Sequence, residues 1–281
     1  MNAFASRLAG EFAAGRHLCV GIDPHPALLA DWGLADTPEN LSFFGRSLIE
    51  AAKAGGAAAV KPQSALFERH CSRGVAALEE VLACAREAQM LTVLDVKRGD
   101  IGSTMRGYAE AYLADGSPLA ADAVTVSPYL GFGSLRPAFE LAGETGRGVF
   151  VLAFTSNPEG ASVQRAVTVS GLQVGEAVIQ AVAQANAAAA PLGSLGVVIG
   201  GTIGALPPAA AQMIAQVGGP ILAPGLGAQG GGPADLARVF GAAQRLVLAT
   251  ASRSVAGAGP DPERVARAVR QLTANIGFLG I

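Results

Sequence analysis

The chain reads as a (β/α)8 TIM barrel, and three observations carry that reading. Eight short apolar, β-branched runs recur along the 281 residues. Helical spacing fills most of the gaps between them, and regular strand–helix alternation implies parallel strands joined by right-handed crossovers. Polar residues then gather where the runs end, which is where the loops that carry chemistry leave such a barrel. A doubly wound open sheet is the alternative, but it more often has fewer strands. No composition shift or linker divides the sequence, so residues 1–281 are expected to form a single barrel domain.

Taken in order, the runs are His17–Asp23, Ala58–Gln63, Leu91–Lys97, Ala123–Ser127, Val149–Thr155, Leu195–Gly201, Pro220–Leu226 and Leu246–Ser252. Ahead of the first, Phe4, Leu8 and Phe12 recur every four residues, as on the apolar face of an amphipathic helix. Between the first and second runs, Leu41, Phe44, Leu48 and Ile49 follow helical spacing; between the second and third, Val75, Leu78, Val81 and Leu82 do the same. The Ala-rich tract Ala181–Ala190 reads as helix, not as a disordered linker. After the eighth run, Asp261-Pro262-Glu263 supplies an N-cap, a first-turn proline and a first-turn acid. These open a final helix through Val265, Val269 and Leu272.

Composition narrows the function. Apolar residues make up 51% of the chain, enough for a sizeable core, and 20 basic against 22 acidic residues leave a net charge of −2. A nucleic-acid or membrane-surface binder would need a basic stripe, so neither partner is expected. No apolar stretch is long enough to span a bilayer, and the first residues lack the basic-then-apolar pattern of a signal peptide. Cys19, Cys71 and Cys84 show no Cys-x-x-Cys spacing and read as small buried hydrophobes in a reducing compartment, so a cytoplasmic location is expected. His17, His25 and His70 form no metal-ligand pattern with them, and no metal site is expected. Ser156 lies outside any Gly-x-Ser-x-Gly elbow, which argues against a hydrolase triad. A rim rich in lysine does not suit paired-acid glycoside hydrolysis.

The most informative stretch is Leu94-Asp95-Val96-Lys97-Arg98-Gly99-Asp100-Ile101, at the end of the third run. Strand alternation puts Asp95 and Lys97 on one face. Charges at the end of a buried strand are costly unless they pair or work. Lys61, in Val60-Lys61-Pro62-Gln63, ends the neighbouring second run, where Pro62 cannot donate a ladder bond. Lys61, Asp95 and Lys97 would then alternate in sign, with Asp100 extending the row. Opposite neighbours keep each member ionised, and Lys97, held as an ammonium, can donate a proton. A rim network that only stabilises is the competing reading.

Pro224-Gly225-Leu226-Gly227-Ala228-Gln229-Gly230-Gly231 follows the seventh run and contains a literal Gly-x-Gly-x-x-Gly. No acid ends the next run, so the dinucleotide reading is rejected. A glycine-rich loop still lets backbone N–H groups converge on an anion. The loops after strands seven and eight are the usual phosphate site of this barrel. Arg253, after the eighth run, can grip phosphate oxygens in a bidentate fashion, and Gln229 can fold over the same phosphate. Asp23, Ser127 and Thr155-Ser156-Asn157 complete the polar rim.

The constellation resembles orotidine 5′-phosphate decarboxylase. That family's Asp-x-Lys-x-x-Asp-Ile stands here as Asp95 to Ile101, followed by Thr104. Its strand-two lysine is Lys61, its strand-one aspartate is Asp23, and its Pro-Gly-x-Gly-Ala-Gln-Gly-Gly loop is intact from Pro224 to Gly231. Its strand-eight Arg-Ser is Arg253-Ser254, although Ser252 stands where a glycine is common. Lys61-Pro62-Gln63 and Thr155-Ser156-Asn157-Pro158 look like the branch found in actinobacteria and other bacteria.

The resemblance implies conversion of orotidine 5′-monophosphate to UMP and CO2, the last step of de novo pyrimidine synthesis, with no cofactor. It further implies a homodimer in which Asp100, Ile101 and Thr104 reach into the partner's site. By the same resemblance, Asp23 and Lys61 bind the ribose hydroxyls, Asp95 sits near the leaving carboxylate and Lys97 protonates C6. Ser156 contacts the pyrimidine, Gln229 and Arg253 hold the phosphate, and Pro224 and Ser252 line the same end of the site. The rivals are a Mg2+-dependent sugar-phosphate decarboxylase or aldolase on the same barrel, and a non-catalytic nucleotide-binding barrel. The segment Glu159–Ser170 is expected to act as a lid.

Overall fold

A computed structural model describes residues 3–204, 206, 208–227 and 231–280. Among them, β1 (Leu18–Ile22), β2 (Ala59–Pro62), β3 (Leu91–Arg98), β4 (Ala123–Val126), β5 (Gly148–Phe154), β6 (Leu195–Ile199), β7 (Ile221–Pro224) and β8 (Val247–Ala251) close into one barrel in sequence order. Every neighbouring pair is parallel, and β8 returns to β1 through Leu18↔Ala249 and Val20↔Ala251. All eight predicted runs are strands, most of them trimmed at the C-terminal end. The trimmed residues, Asp23, Gln63, Ser127 and Thr155 among them, begin the loops at the barrel mouth.

The helices form where the apolar spacing placed them. Helix Pro38–Ala54 buries Leu41, Phe44, Leu48 and Ile49, and helix Cys71–Glu87 buries Leu78, Val81 and Leu82 with Val75 half-buried. The two pack closely because Gly45 has no side chain; a Cβ there would lie 2.5 Å from Val81 Cγ2. Asp261 caps helix Pro262–Ile276 by accepting from the Arg264 N–H at 2.9 Å. The Ala-rich tract departs from expectation. Helix Val174–Ala185 stops before it ends, because the Asn186 side-chain amide donates to the carbonyls of Leu195 (2.8 Å) and Val217 (3.1 Å). Those bonds tie the chain to the start of β6, so residues 187–190 are not helical.

Helix Phe4–Ala13 caps the N-terminal end of the barrel. Its buried Phe4, Leu8 and Phe12 share one cluster with Cys19, Val93, Phe150, Val198, Leu222 and Leu248, one residue from each of six strands. Burying each of these three large side chains contributes about 1.5–3 kcal/mol. Phe4 meets Phe150 edge-on with centroids 6.0 Å apart, and Phe12 stacks on His17 at 4.6 Å. His17 is fully buried and its Nδ1 donates to the Val247 carbonyl at 2.8 Å, so it is a structural residue. His70 is structural too, bonded to Asp36 at 2.9 Å. No described helix is long and apolar enough to cross a membrane.

Candidate active site

The C-terminal mouth holds a cavity of about 920 Å3. Asp95 lies at its floor, and its carboxylate takes four donors. Oδ2 accepts from Lys61 Nζ (2.9 Å) and Gln63 Nε2 (3.1 Å); Oδ1 accepts from Lys97 Nζ (2.6 Å) and Thr125 Oγ1 (2.8 Å). Asp95 and Lys61 are nearly sealed, with side-chain exposures of 9% and 6%, whereas Lys97 is 46% exposed. The row is therefore a buried pair with one ammonium projecting into open space.

Electrostatics fix the charge states. Burial pushes the Asp95 carboxyl up, but Lys61 and Lys97 more than offset it and hold the group well below the usual carboxylate range. Burial likewise opposes the Lys61 charge, yet Asp95 and Asp23 hold that ammonium well above the usual lysine range. Under this pair the Cys19 thiol is pushed up to about 12, chiefly by burial, so it is an inert filler of the core.

The expected alternation brings Asp95 and Lys97 together, but not along a regular strand. β3 pairs with β4 at Leu94↔Val124 and next at Arg98↔Val126, so it spends extra residues in a bulge. Lys97 sits in that bulge at φ +45°, a left-handed conformation that costs roughly 1–2 kcal/mol for a residue with a side chain. The ladder resumes with the Ser127 N–H donating to the Arg98 carbonyl at 2.8 Å. Beyond it Gly99 presses on Ser127; a Cβ on Gly99 would lie 2.3 Å from the Ser127 carbonyl oxygen.

Most of the other predicted residues converge on the same cavity. Asp23, Ser156, Pro224, Ser252 and Arg253 line it, together with the unpredicted Gln63, Thr125 and Thr250. The β4 rim residue is Thr125, not Ser127. Both have inward parity, and Thr125 was legible as a hydroxyl within an otherwise apolar buried run. Asp23 Oδ1 is buried without a hydrogen-bond partner among the described residues, as are the hydroxyls of Thr250, Ser252 and Ser254.

The loop after β7 doubles back, with the Gly227 N–H donating to the Gly231 carbonyl at 2.7 Å. Gly225 and Gly227 have φ of +113° and +83°, and a Cβ on Gly227 would lie 2.7 Å from Ser254 Oγ. Glycine is therefore required there, and the loop's backbone lies against the start of the Arg253–Ala256 turn. Gln229 lies outside the described residues.

Three predicted residues stay out of the cavity of their own chain. Asp100 accepts from the Ile101 N–H at 2.8 Å and touches neither lysine of the row, which within one chain has three charged members. Ile101 is 61% exposed and Thr104 is exposed, both in the chain just after β3. The segment 159–170 forms a short strap of turns and helix Ala161–Gln164, tied down where the Thr155 N–H donates to Gln164 Oε1 at 2.8 Å.

Fold and site together define a (β/α)8 barrel with a Lys–Asp–Lys row at its C-terminal mouth. Comparison with known proteins agrees. The model of the orotidine 5′-phosphate decarboxylase / HUMPS family matches residues 16–269, and the chain belongs to that family. It is 54% identical over 275 residues to the orotidine 5′-phosphate decarboxylase of Salinispora arenicola, covering 98% of this chain and 97% of the relative. A crystal structure from Streptomyces avermitilis superposes with a TM-score of 0.92 at 51% identity, covering 98% of this chain and 95% of that one. The Leishmania donovani OMP decarboxylase does so with a TM-score of 0.74 at 30% identity, covering 98% and 99%.

Proposed function

We propose that this chain decarboxylates orotidine 5′-monophosphate to UMP and CO2, without a cofactor, in the last step of de novo pyrimidine synthesis. One observation supports this above the rest: Asp95 is clamped between two ammonium groups at the cavity, Lys61 nearly sealed and Lys97 half-exposed. Loss of CO2 from C6 leaves its electron pair on a ring carbon with no adjacent carbonyl to delocalise it. Stabilisation on the order of 20 kcal/mol is needed for so slow a reaction. A fixed ammonium supplies part of it electrostatically. In the step itself, the C6–carboxylate bond breaks, the electron pair stays on C6, and a proton passes from Lys97 Nζ to that carbon. Lys97, open to solvent, then regains its proton.

The other roles follow from position. Asp23, with Oδ1 unpaired, accepts from a ribose hydroxyl, and Lys61 donates to the sugar. Arg253 and Ser252, with Pro224 and Gln229, hold the phosphate, and Ser156 meets the pyrimidine. Phosphate contacts are remote from C6, so their binding energy goes into ordering the site. The working form is a homodimer of single-domain barrels in the cytoplasm, in which Asp100, Ile101 and Thr104 of each chain complete the neighbour's site. The exposure of Ile101 and Thr104 and the half-exposed Lys97 support that arrangement.

The rival Mg2+-dependent sugar-phosphate chemistry needs an acid where strand two carries Lys61, and a buried ammonium there repels a cation. The test is the absorbance change of orotidine 5′-monophosphate on mixing with enzyme, with and without EDTA. Turnover insensitive to chelator is expected. Activity lost in EDTA and restored by Mg2+ would reverse the choice, and binding with no spectral change would favour a nucleotide-binding barrel.

A further inference from the structure

The bulge that carries Lys97 is organised by one side chain, the hydroxyl of Thr125. Between Leu94 and Arg98 the β3–β4 ladder is interrupted, so the N–H groups of Val96 and Lys97 lack strand partners. Both donate to Thr125 Oγ1, at 3.1 Å and 3.0 Å. The same hydroxyl donates its own hydrogen to Asp95 Oδ1 at 2.8 Å, the oxygen that also accepts from Lys97 Nζ. A hydroxyl has one hydrogen and two lone pairs, and here all three are used. Thr125 is 1% exposed. Although it lines the cavity, it therefore has no free polar site to offer substrate.

We infer that Thr125 is a positioning residue for the reaction: it holds the Lys97 backbone in its left-handed turn while orienting Asp95, and so aims the ammonium from both ends. A buried N–H without a partner is rare, and a left-handed lysine persists only where its surroundings over-determine it. Removing the hydroxyl unpairs both bulge amides at once. The backbone at residue 97 then relaxes toward ordinary strand geometry, and Nζ swings away from its place above Asp95. Misplacement of a reacting group by about 1 Å lowers rate on the order of 100-fold. The phosphate end of the cavity is untouched, so binding is preserved.

This inference rests on the decarboxylase reading, and the experiment keeps the two apart. The variants are Thr125→Val, which has the same shape without the hydroxyl, and Thr125→Ser, which keeps it. On orotidine 5′-monophosphate, the valine enzyme is expected to lose kcat on the order of 100-fold with KM within about threefold of wild type, and the serine enzyme to recover most of the rate. A crystal structure of the valine enzyme is expected to show residue 97 out of the positive-φ region. Thr125→Ala serves in both measurements if the valine chain does not fold. Near wild-type kcat without the hydroxyl, failure of serine to rescue, or an unchanged residue 97 would each overturn the inference. Absence of turnover by the wild-type enzyme would instead overturn the functional reading, and the backbone at residue 97 would still decide what Thr125 does.

Discussion

The two ends of this barrel are built from the same eight strands and behave oppositely. At the N-terminal end the inward side chains, Cys19, Val93, Phe150, Val198, Leu222 and Leu248, are apolar and meet an apolar helix face. One layer higher the inward positions become Lys61, Asp95 and Thr125, which satisfy one another instead of packing. The lower end gains stability from shape and area alone. The upper end places charge where hydration is lost, which is tolerable only because Asp95 takes four donors. A barrel can thus afford a charged mouth when the layers beneath it are conventional core.

Substitution of Lys97 tests this contrast most severely. Lys97→Ala should abolish turnover and cost less stability than loss of Asp95, because the side chain is half-exposed and water can replace it as the fourth donor to Asp95. Retained binding of a phosphate ester such as UMP, followed by calorimetry, would accompany it. Residual turnover near wild type would remove Lys97 as proton source. Mixed with an inactive Asp100→Ala enzyme, it should regain part of the activity in verified mixed dimers, since each hybrid keeps one intact site.

Asp95→Asn should damage both function and folding. It leaves the Lys61 ammonium buried without its hydrogen-bonded counter-charge, which costs about 3–5 kcal/mol and should show as a lower denaturant midpoint together with lost turnover. An unchanged midpoint would mean the pair is not stabilising as described. Leu8→Ala, at the opposite end, should cost about 2–5 kcal/mol while kcat/KM of the folded enzyme stays within about twofold, because distant sites act independently. A large loss of kcat/KM there would show that the two ends are coupled.

The smallest expected effect is a difference in pH response. Burial lowers the His17 pKa from its ordinary 6.5, so the unfolded chain binds a proton that the folded chain does not. The His17 contribution is therefore fully present above pH 6.5 and is lost as pH falls below it. The Lys61–Asp95 pair is silent in this interval. The lowered pKa of Asp95 keeps its contribution intact until pH falls below the ordinary carboxylate value of 3.8, and the raised pKa of Lys61 keeps its own until pH passes 10.5. His17→Gln, which retains a donor for the Val247 carbonyl, should flatten the dependence of unfolding free energy on pH just below 6.5. An unaltered slope would assign that dependence to another group.

Much of this architecture was legible in the sequence because period and punctuation are local properties. The four-residue spacing of Phe4, Leu8 and Phe12, the cap at Asp261 and the eight apolar runs each name an element without reference to the others. The lysine–aspartate row was legible too, since adjacent strand ends in a barrel must face one another. The bulge was not. Alternation assumes that each strand spends one residue per pleat, and the register slip between Leu94 and Arg98 depends on Thr125, a residue on another strand. The overlong helix prediction through Ala190 failed for a similar reason, because Asn186 is claimed by carbonyls that lie 9 and 31 residues away. The cooperation of Asp100 with the row is absent within a single chain and so stands on the proposed partner.

The helix across the lower end, Phe4–Ala13, has a kinetic consequence. With that end stoppered by aromatic and aliphatic side chains, the barrel is a cup and not a conduit. Nucleotide and gas must share one doorway, so the spent nucleotide has to depart before its successor enters, and any strap that folds over the opening governs both arrival and exit.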